Sequence, residues 1–386
     1  MEWWYSLPIA ACCVWVFLLG LGIGSFLNVV IIRLPLEKSV IWPGSRCGVC
    51  LRPLKFRDNL PILGYLALRG RCRFCGARFS SRYLWVELAT GIAFLGLFLI
   101  EVVSQGYGGP EWLTPWHHIP GLRSGAYATG AFPPLHAWIY FFYHAMLLSF
   151  LLAAALIDAE HRIIPTQITY VGTAIGLVGS TLLPWPWPSD PSVLSAIPAG
   201  FPWTLPEVTG KIPTGATLWP FTGPPPPWAP PGSWQLGLMN GLVGAAAGMF
   251  IGRAIKFLFE TGFQKDALGL GDADLLMMIG AFLGWQPAAL ALPVGALVTL
   301  PIIVPLKIWA IARGSSAGNE LPFGPGIAAG AVVVWLGWPW LSGLAQVLFD
   351  PVILTFVAVI MGGGMLVAGL ILRRDPQPIP VPTPRG

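Results

Sequence analysis

Charge is too scarce in this chain for it to fold in water. Only 10% of its 386 residues are Asp, Glu, Lys or Arg, while 55% are hydrophobic. A soluble domain carries about 25% charged residues, so the chain could not coat a water-facing surface. Its apolar residues gather into nine segments, at 9–32, 83–103, 136–157, 164–184, 234–256, 273–290, 291–312, 324–347 and 351–372. Each is close to the roughly 20 residues that an α-helix needs to cross a bilayer. We therefore expect an all-α polytopic membrane protein with about eight or nine transmembrane helices. The sixth and seventh segments run nearly together, and Gly284, Trp285, Gln286 and Pro287 mark the turn between them. Gly is abundant within the apolar runs, as close-packed membrane helices prefer.

Charge placement gives the orientation. With the N-terminus outside and the segments alternating, 20 of the 22 Lys and Arg fall on the inner side; only Arg123 and Lys211 lie outside. The positive-inside rule demands such a split. It also explains the net charge of +5 as a topology signal, with no basic stripe that would suit nucleic acid. No Lys or Arg precedes the first apolar run, so the expected first helix, 1–32, is a retained anchor rather than a cleaved signal. The expected organisation continues with a cytoplasmic loop domain at 33–82, a polytopic domain at 83–372 and a cytoplasmic tail at 373–386. Two outer loops, 104–135 and 185–233, are rich in Pro and Trp without strand or helix periodicity. His117 and His118 in the first are read as solvated. No internal repeat is present.

The inner loop carries Cys47, Cys50, Cys72 and Cys75, two Cys-x-x-Cys pairs separated by 21 residues. Four thiolates in two knuckles suit a tetrahedral zinc ion, and an all-cysteine set leaves no open position for water, so the zinc would be structural. The gap slightly exceeds the usual range for such sites. Unligated thiols or a redox pair are the alternatives. A disulfide is disfavoured in a reducing cytosol. Cys12 and Cys13, in the first helix, are read as small packing residues.

Two carboxylates stand at membrane edges, where burying Asp is costly. Asp158 closes the third segment, in Asp158-Ala159-Glu160-His161-Arg162-Ile163-Ile164-Pro165, and Asp272 follows Gly269-Leu270-Gly271 at the start of the sixth. Alternation puts both on the inner face at similar depth. Two carboxylates that meet drive their proton affinities apart, so that one holds a proton while the other is ionised. Such a pair can activate water without a metal. Either could instead be ordinary: Asp158 can pair with Arg162 one turn on, and Asp272 can cap a helix. Asp274 competes for the role but helical spacing turns it to another face. There is no His-Glu-x-x-His zinc-protease motif, and no Gly-x-Ser-x-Gly elbow beside a usable His. Membrane carboxylates also serve proton relays, so a proton-coupled transporter is the rival, although transporters often show repeated halves. A structural subunit of an export machine is another.

An ordered set of motifs surrounds these residues. Gly24-Ser25-Phe26-Leu27-Asn28-Val29-Val30-Ile31-Ile32-Arg33-Leu34-Pro35 comes first, and the cysteine loop follows with Asn59-Leu60-Pro61-Ile62 and Tyr65-Leu66-Ala67-Leu68-Arg69-Gly70 between its halves. Then come Ser81-Arg82-Tyr83, Val86-Glu87, the two Asp segments, Gly280-Ala281-Phe282-Leu283-Gly284-Trp285 and Leu321-Pro322-Phe323-Gly324-Pro325. In this the chain resembles the bacterial prepilin peptidases, membrane aspartic enzymes with a Gly-x-Gly-Asp motif. The resemblance covers about 17–103, 136–184 and 234–335. It implies Asp158 and Asp272 as catalytic residues. It also implies cleavage of the basic leader of type IV prepilin or type II secretion pseudopilin precursors at the cytoplasmic face of the bacterial inner membrane. N-methylation of the new N-terminus with S-adenosylmethionine would follow, as the cysteine loop accompanies the bifunctional type. Gly70 and Arg71, beside the second knuckle, stand as candidate contacts for that cofactor. The chain departs from the family pattern at Glu160 and Thr166, where Asp is usual, and at Ala273-Asp274, where an aromatic and Lys are common.

Overall fold

A computed structural model describes residues 7–104, 132–183, 228–229, 233–263, 269–312 and 323–372. The expectations for His117 and His118, for most of the two outer loops and for the tail fall outside these residues. Within them the protein is helical, with no β-strand: α1 (Leu7–Arg33), α2 (Leu63–Ala67), α3 (Arg82–Phe98), α4 (Leu135–His161), α5 (Thr166–Leu182), α6 (Trp234–Phe263), α7 (Leu270–Leu283), α8 (Trp285–Ala312), α9 (Phe323–Leu348) and α10 (Pro351–Leu372). A single π-helical turn, Leu99–Val103, extends α3. Five of these stretches are long and apolar enough to cross a membrane: Leu7–Leu36, Arg82–Val103, Leu135–His161, Trp234–Phe263 and Pro351–Gly369. Trp285–Pro301 and Phe323–Trp338 are shorter apolar helices within the described residues.

α1 and α3 form one packed pair. Gly20 and Gly24, four residues apart, let the backbones close: a Cβ on Gly24 would lie 2.7 Å from Cα of Glu87. Small residues at this spacing are how membrane helices approach where lipid offers no hydrophobic drive. Beyond them, Phe98 stacks on Trp138 of α4 with ring centroids 5.1 Å apart, joining the pair to the rest of the core.

α7 is the centre of the second part. Every residue from Asp272 to Leu283 is buried, against α5, α6, α8 and α9. A helix apolar all round needs a protein sheath, and α6 supplies most of it. Gly244 and Gly248 of α6 sit so close that a side chain there would strike the carbonyls of Gly280 and Leu276.

One expected boundary is corrected. The apolar segments were bounded at 273–290 and 291–312, whereas α7 stops at Leu283 and α8 begins at Trp285, so the helices part at the start of the Gly284–Pro287 turn that the sequence marked. Gly284 makes the break alone, at φ 87°, a conformation that costs Gly nothing and other residues a clash. α7 is thus 14 residues long, about 21 Å at 1.5 Å per residue. That is short of the roughly 30 Å hydrocarbon layer, so its ends, one of which carries Asp272, need not both reach the membrane surface.

Candidate active site

Three helix ends meet around the two aspartates. α4 ends where Arg162 turns left-handed at φ 57°, its N–H donating to the backbone carbonyl of Asp158. Pro165, extended at ψ 130°, then starts α5. Asp158 is therefore held in the last turn of α4, 7% exposed. Its Oδ2 accepts the Gly324 N–H at 2.9 Å, from the start of α9. No ion pair joins Asp158 to Arg162 among the described residues. A side chain at position 324 would occupy the carboxylate's place, since a Cβ there would lie 2.7 Å from Asp158 Oδ2.

Asp272 occupies the first turn of α7 and is also 7% exposed. Its Oδ2 accepts the Gly269 N–H at 2.9 Å, so it does cap its helix, yet this uses only one of its oxygens. The Oδ1 of each aspartate carries no protein hydrogen bond among the described residues. Gly271 explains how the two segments of the site close. A Cβ there would lie 2.9 Å from Cβ of Ile164, so the turn that follows Asp158 rests on the residue before Asp272. The two carboxylates are within electrostatic reach of each other.

The neighbours answer two of the sequence departures. Asp274 is buried, 5% exposed, and Arg253 of α6 offsets its charge. Glu160 forms an ion pair with Arg82 at the start of α3, joining the aspartate region to the N-terminal helix pair.

The cysteine loop folds as two similar knuckles. In the first, Leu51 donates to the Cys47 carbonyl from a left-handed φ of 57°; in the second, Gly76 donates to Cys72 from φ 71°. The four sulfurs lie within 4.8 Å of one another, with Cys47–Cys75 at 3.8 Å and Cys50–Cys72 at 3.9 Å. Sulfurs about 2.3 Å from a tetrahedral zinc sit about 3.8 Å apart, whereas a disulfide needs about 2.05 Å. The amides of Cys50 and Val49 point at the Cys47 sulfur and lower its pKa to about 6, favouring the thiolate that a metal binds. This cluster can hold a metal ion. From within the second knuckle, Arg73 Nε reaches both carboxylate oxygens of Asp58, which lies between the knuckles, at 3.0 Å. That guanidinium holds the Asp58 carboxyl below its ordinary range. Gly70 is left-handed at φ 66° and packs on the Tyr65 ring, and Arg71 pairs through its backbone with Arg78.

A third buried polar group escaped the sequence reading. His144 Nδ1 of α4 lies 2.7 Å from Glu101 Oε1, both side chains fully buried. Ionisable residues inside two apolar segments were the signal to follow. His144 stands about 21 Å along α4 from Asp158, so the pair belongs to the opposite end of the helix.

Comparison with known proteins gives two family matches. Residues 18–100 match the Bacterial Peptidase A24 N-terminal domain, and residues 145–210 and 228–304 match the Type IV leader peptidase family. The chain is 33% identical over 291 residues to the Prepilin leader peptidase/N-methyltransferase of Klebsiella pneumoniae, covering 74% of this chain and 89% of that one. It is 28% identical to the protein of the same name from Pectobacterium carotovorum subsp. carotovorum, covering 86% and 92%. It is 30% identical to that of Myxococcus xanthus, over 71% of this chain but only 56% of the relative's length. No solved structure matches.

Proposed function

This chain belongs to the type IV leader peptidase family, and from that premise we propose that it cleaves the leader of a type IV prepilin or pseudopilin at the cytoplasmic face of the inner membrane, with Asp158 and Asp272 activating a water. One carboxylate, ionised, takes a proton from the water as its oxygen attacks the scissile carbonyl carbon. The other, protonated, donates to the carbonyl oxygen and stabilises the charge that develops there. The proton is later returned to the leaving amine. The observation that carries this reading is the parallel geometry of the pair. Each Oδ2 is fixed by a main-chain amide, which leaves each Oδ1 for water or substrate. Asp158→Asn and Asp272→Asn, assayed on a prepilin in proteoliposomes, are each expected to cut the cleavage rate about 10²–10⁴-fold. Full cleavage by either variant would remove the mechanism.

The relatives' names pair the peptidase with an N-methyltransferase, which supports a second step here, methylation of the newly freed N-terminal amine. S-adenosylmethionine, when bound, would supply the methyl group. Cys47, Cys50, Cys72 and Cys75 would hold a structural zinc; the sulfur spacing supports that metal, and four thiolates would leave it no open position for catalysis. Transfer of labelled methyl from the cofactor to cut prepilin tests the second step, and its absence would leave a peptidase alone.

A further inference from the structure

The ends of α4, α7 and α9 close the aspartate site, and the same three helices meet again about 21 Å away along α4. The focus there is His144 of α4. Its Nδ1 lies 2.7 Å from Oε1 of Glu101, with both side chains fully buried. Glu101 sits in the π-helical turn that extends α3, an irregularity frequent at functional sites. The His144 ring meets the buried Trp335 ring of α9 in a T-shaped contact, centroids 5.2 Å apart. The ring of the preceding residue, Tyr143, lies 5.6 Å from it and stacks on Phe282 of α7 at 4.9 Å. The Tyr143 hydroxyl donates to the Gly176 carbonyl of α5 at 3.0 Å. One cluster therefore touches the helices that carry Asp158, Asp272 and Gly324.

A carboxyl group and an imidazole are costly to bury among apolar helices. Apolar side chains could fill the same space without that cost. What a satisfied buried hydrogen bond adds is a single arrangement, because it depends on distance and angle where packing tolerates a slide. α4 and α9 run antiparallel and touch at two recorded points, Asp158–Gly324 and His144–Trp335. These are separated by about 21 Å along α4 and about 17 Å along α9. A slide of one helix on the other disturbs both points together. Between His144 and Asp158, α4 has no ionisable residue, so the link along it is mechanical. We propose that the Glu101–His144 bond is a positioning device for peptide cleavage: it fixes the register of α4 against α9 and so holds the Asp158 carboxylate on the Gly324 amide. The proposal rests on the aspartate reading above.

The test uses the full-length enzyme, with two readouts. The first is prepilin cleavage, resolved into kcat and KM. The second is hydrogen exchange at the Gly324 N–H, followed by NMR in detergent on glycine-labelled enzyme. Gly324 lies in the first turn of α9, where amides lack an intrahelical partner, so its protection reports the Asp158 bond. Glu101→Leu combined with His144→Phe replaces both partners by apolar groups and leaves no orphan, so thermal stability should be largely kept. In this double variant kcat is expected to fall about 10–10²-fold with KM little changed, and Gly324 should exchange at least tenfold faster. Glu101→Gln, which can still bond the imidazole, should restore both readouts to within about threefold. Full rate and unchanged exchange in the double variant would make the pair a stabilising contact alone, and the aspartate reading would stand. A Glu101→Gln enzyme as slow as the double variant would assign the effect to charge and overturn the proposal. Faster exchange with cleavage intact would sink the aspartate reading, and the proposal with it. If the double variant does not fold, Trp335→Phe alters the α9 side alone; a normal rate with normal Gly324 exchange there would overturn the register role.

Discussion

The two sites are made of different material. Around Asp158 and Asp272 the parts are helix ends, fixed by amides from Gly324 and Gly269 and by Gly271 resting on Ile164. Position there is set by packing, and nothing has to bind for the carboxylates to be in place. Residues 34–81 have little regular structure. They are held by four clustered sulfurs, the Asp58–Arg73 ion pair and the Glu87–Ile62 hydrogen bond. A segment with so little buried apolar surface needs a metal or other cross-link to hold its shape. One site should therefore fail when atoms are added, and the other when a ligand is taken away.

The sharpest way to break that contrast is Gly324→Ala. The added carbon would sit 2.7–2.9 Å from the Asp158 carboxylate. The side chain can rotate aside, so the protein should fold while the aspartate is misplaced by about an ångström, a displacement that can cost about 10²-fold in rate. Prepilin cleavage should fall by that order, with S-adenosylmethionine binding within about twofold of the unaltered enzyme. Equal loss of both would mean that the sites are not separately built. Next in size is metal removal. Cys72→Ser, or exhaustive chelation of the unaltered enzyme, should lower zinc content and expose the loop to limited proteolysis. Methyl-donor binding should weaken at least tenfold, because the candidate contacts Gly70 and Arg71 stand beside the second knuckle, and cleavage should fall by distinctly less. Loss of cleavage as large as the loss of binding would show that the aspartate site also leans on the loop.

How much of this could be read in advance follows the same divide. The cysteine cluster was legible because metal-ligand spacing is a local property of the sequence. The two aspartates were legible as far as depth, since the positive-inside count puts the end of α4 and the start of α7 on one side. Their meeting was not, because the Ile164–Gly271 contact arises only when the helices pack. The turn at Gly284 was legible from the Gly284-Trp285-Gln286-Pro287 cluster, but the segment bounds were carried on to 290, because composition does not report φ. Glu101 and His144 sit in separate apolar segments, and each alone gives no hint of the other.

The smallest effect concerns the Arg82–Glu160 ion pair, which joins the two regions. Arg82 and Glu160 are bonded but 30% and 42% exposed at their side chains. Water screens a pair so placed, and such pairs are worth about 0.2–1 kcal/mol. Arg82→Gln, Glu160→Gln and the double variant form a cycle that isolates their interaction. The expected coupling is below about 1 kcal/mol, read from cleavage rates and from thermal unfolding. A larger coupling would mean that the pair transmits more than a surface contact can. The natural interpretation would be that the loop region senses what occupies the aspartates, since Glu160 is two residues beyond Asp158 and Arg82 opens the helix that carries Glu87. A coupling near zero leaves packing and ligand binding as independent supports, each serving the chemistry nearest to it.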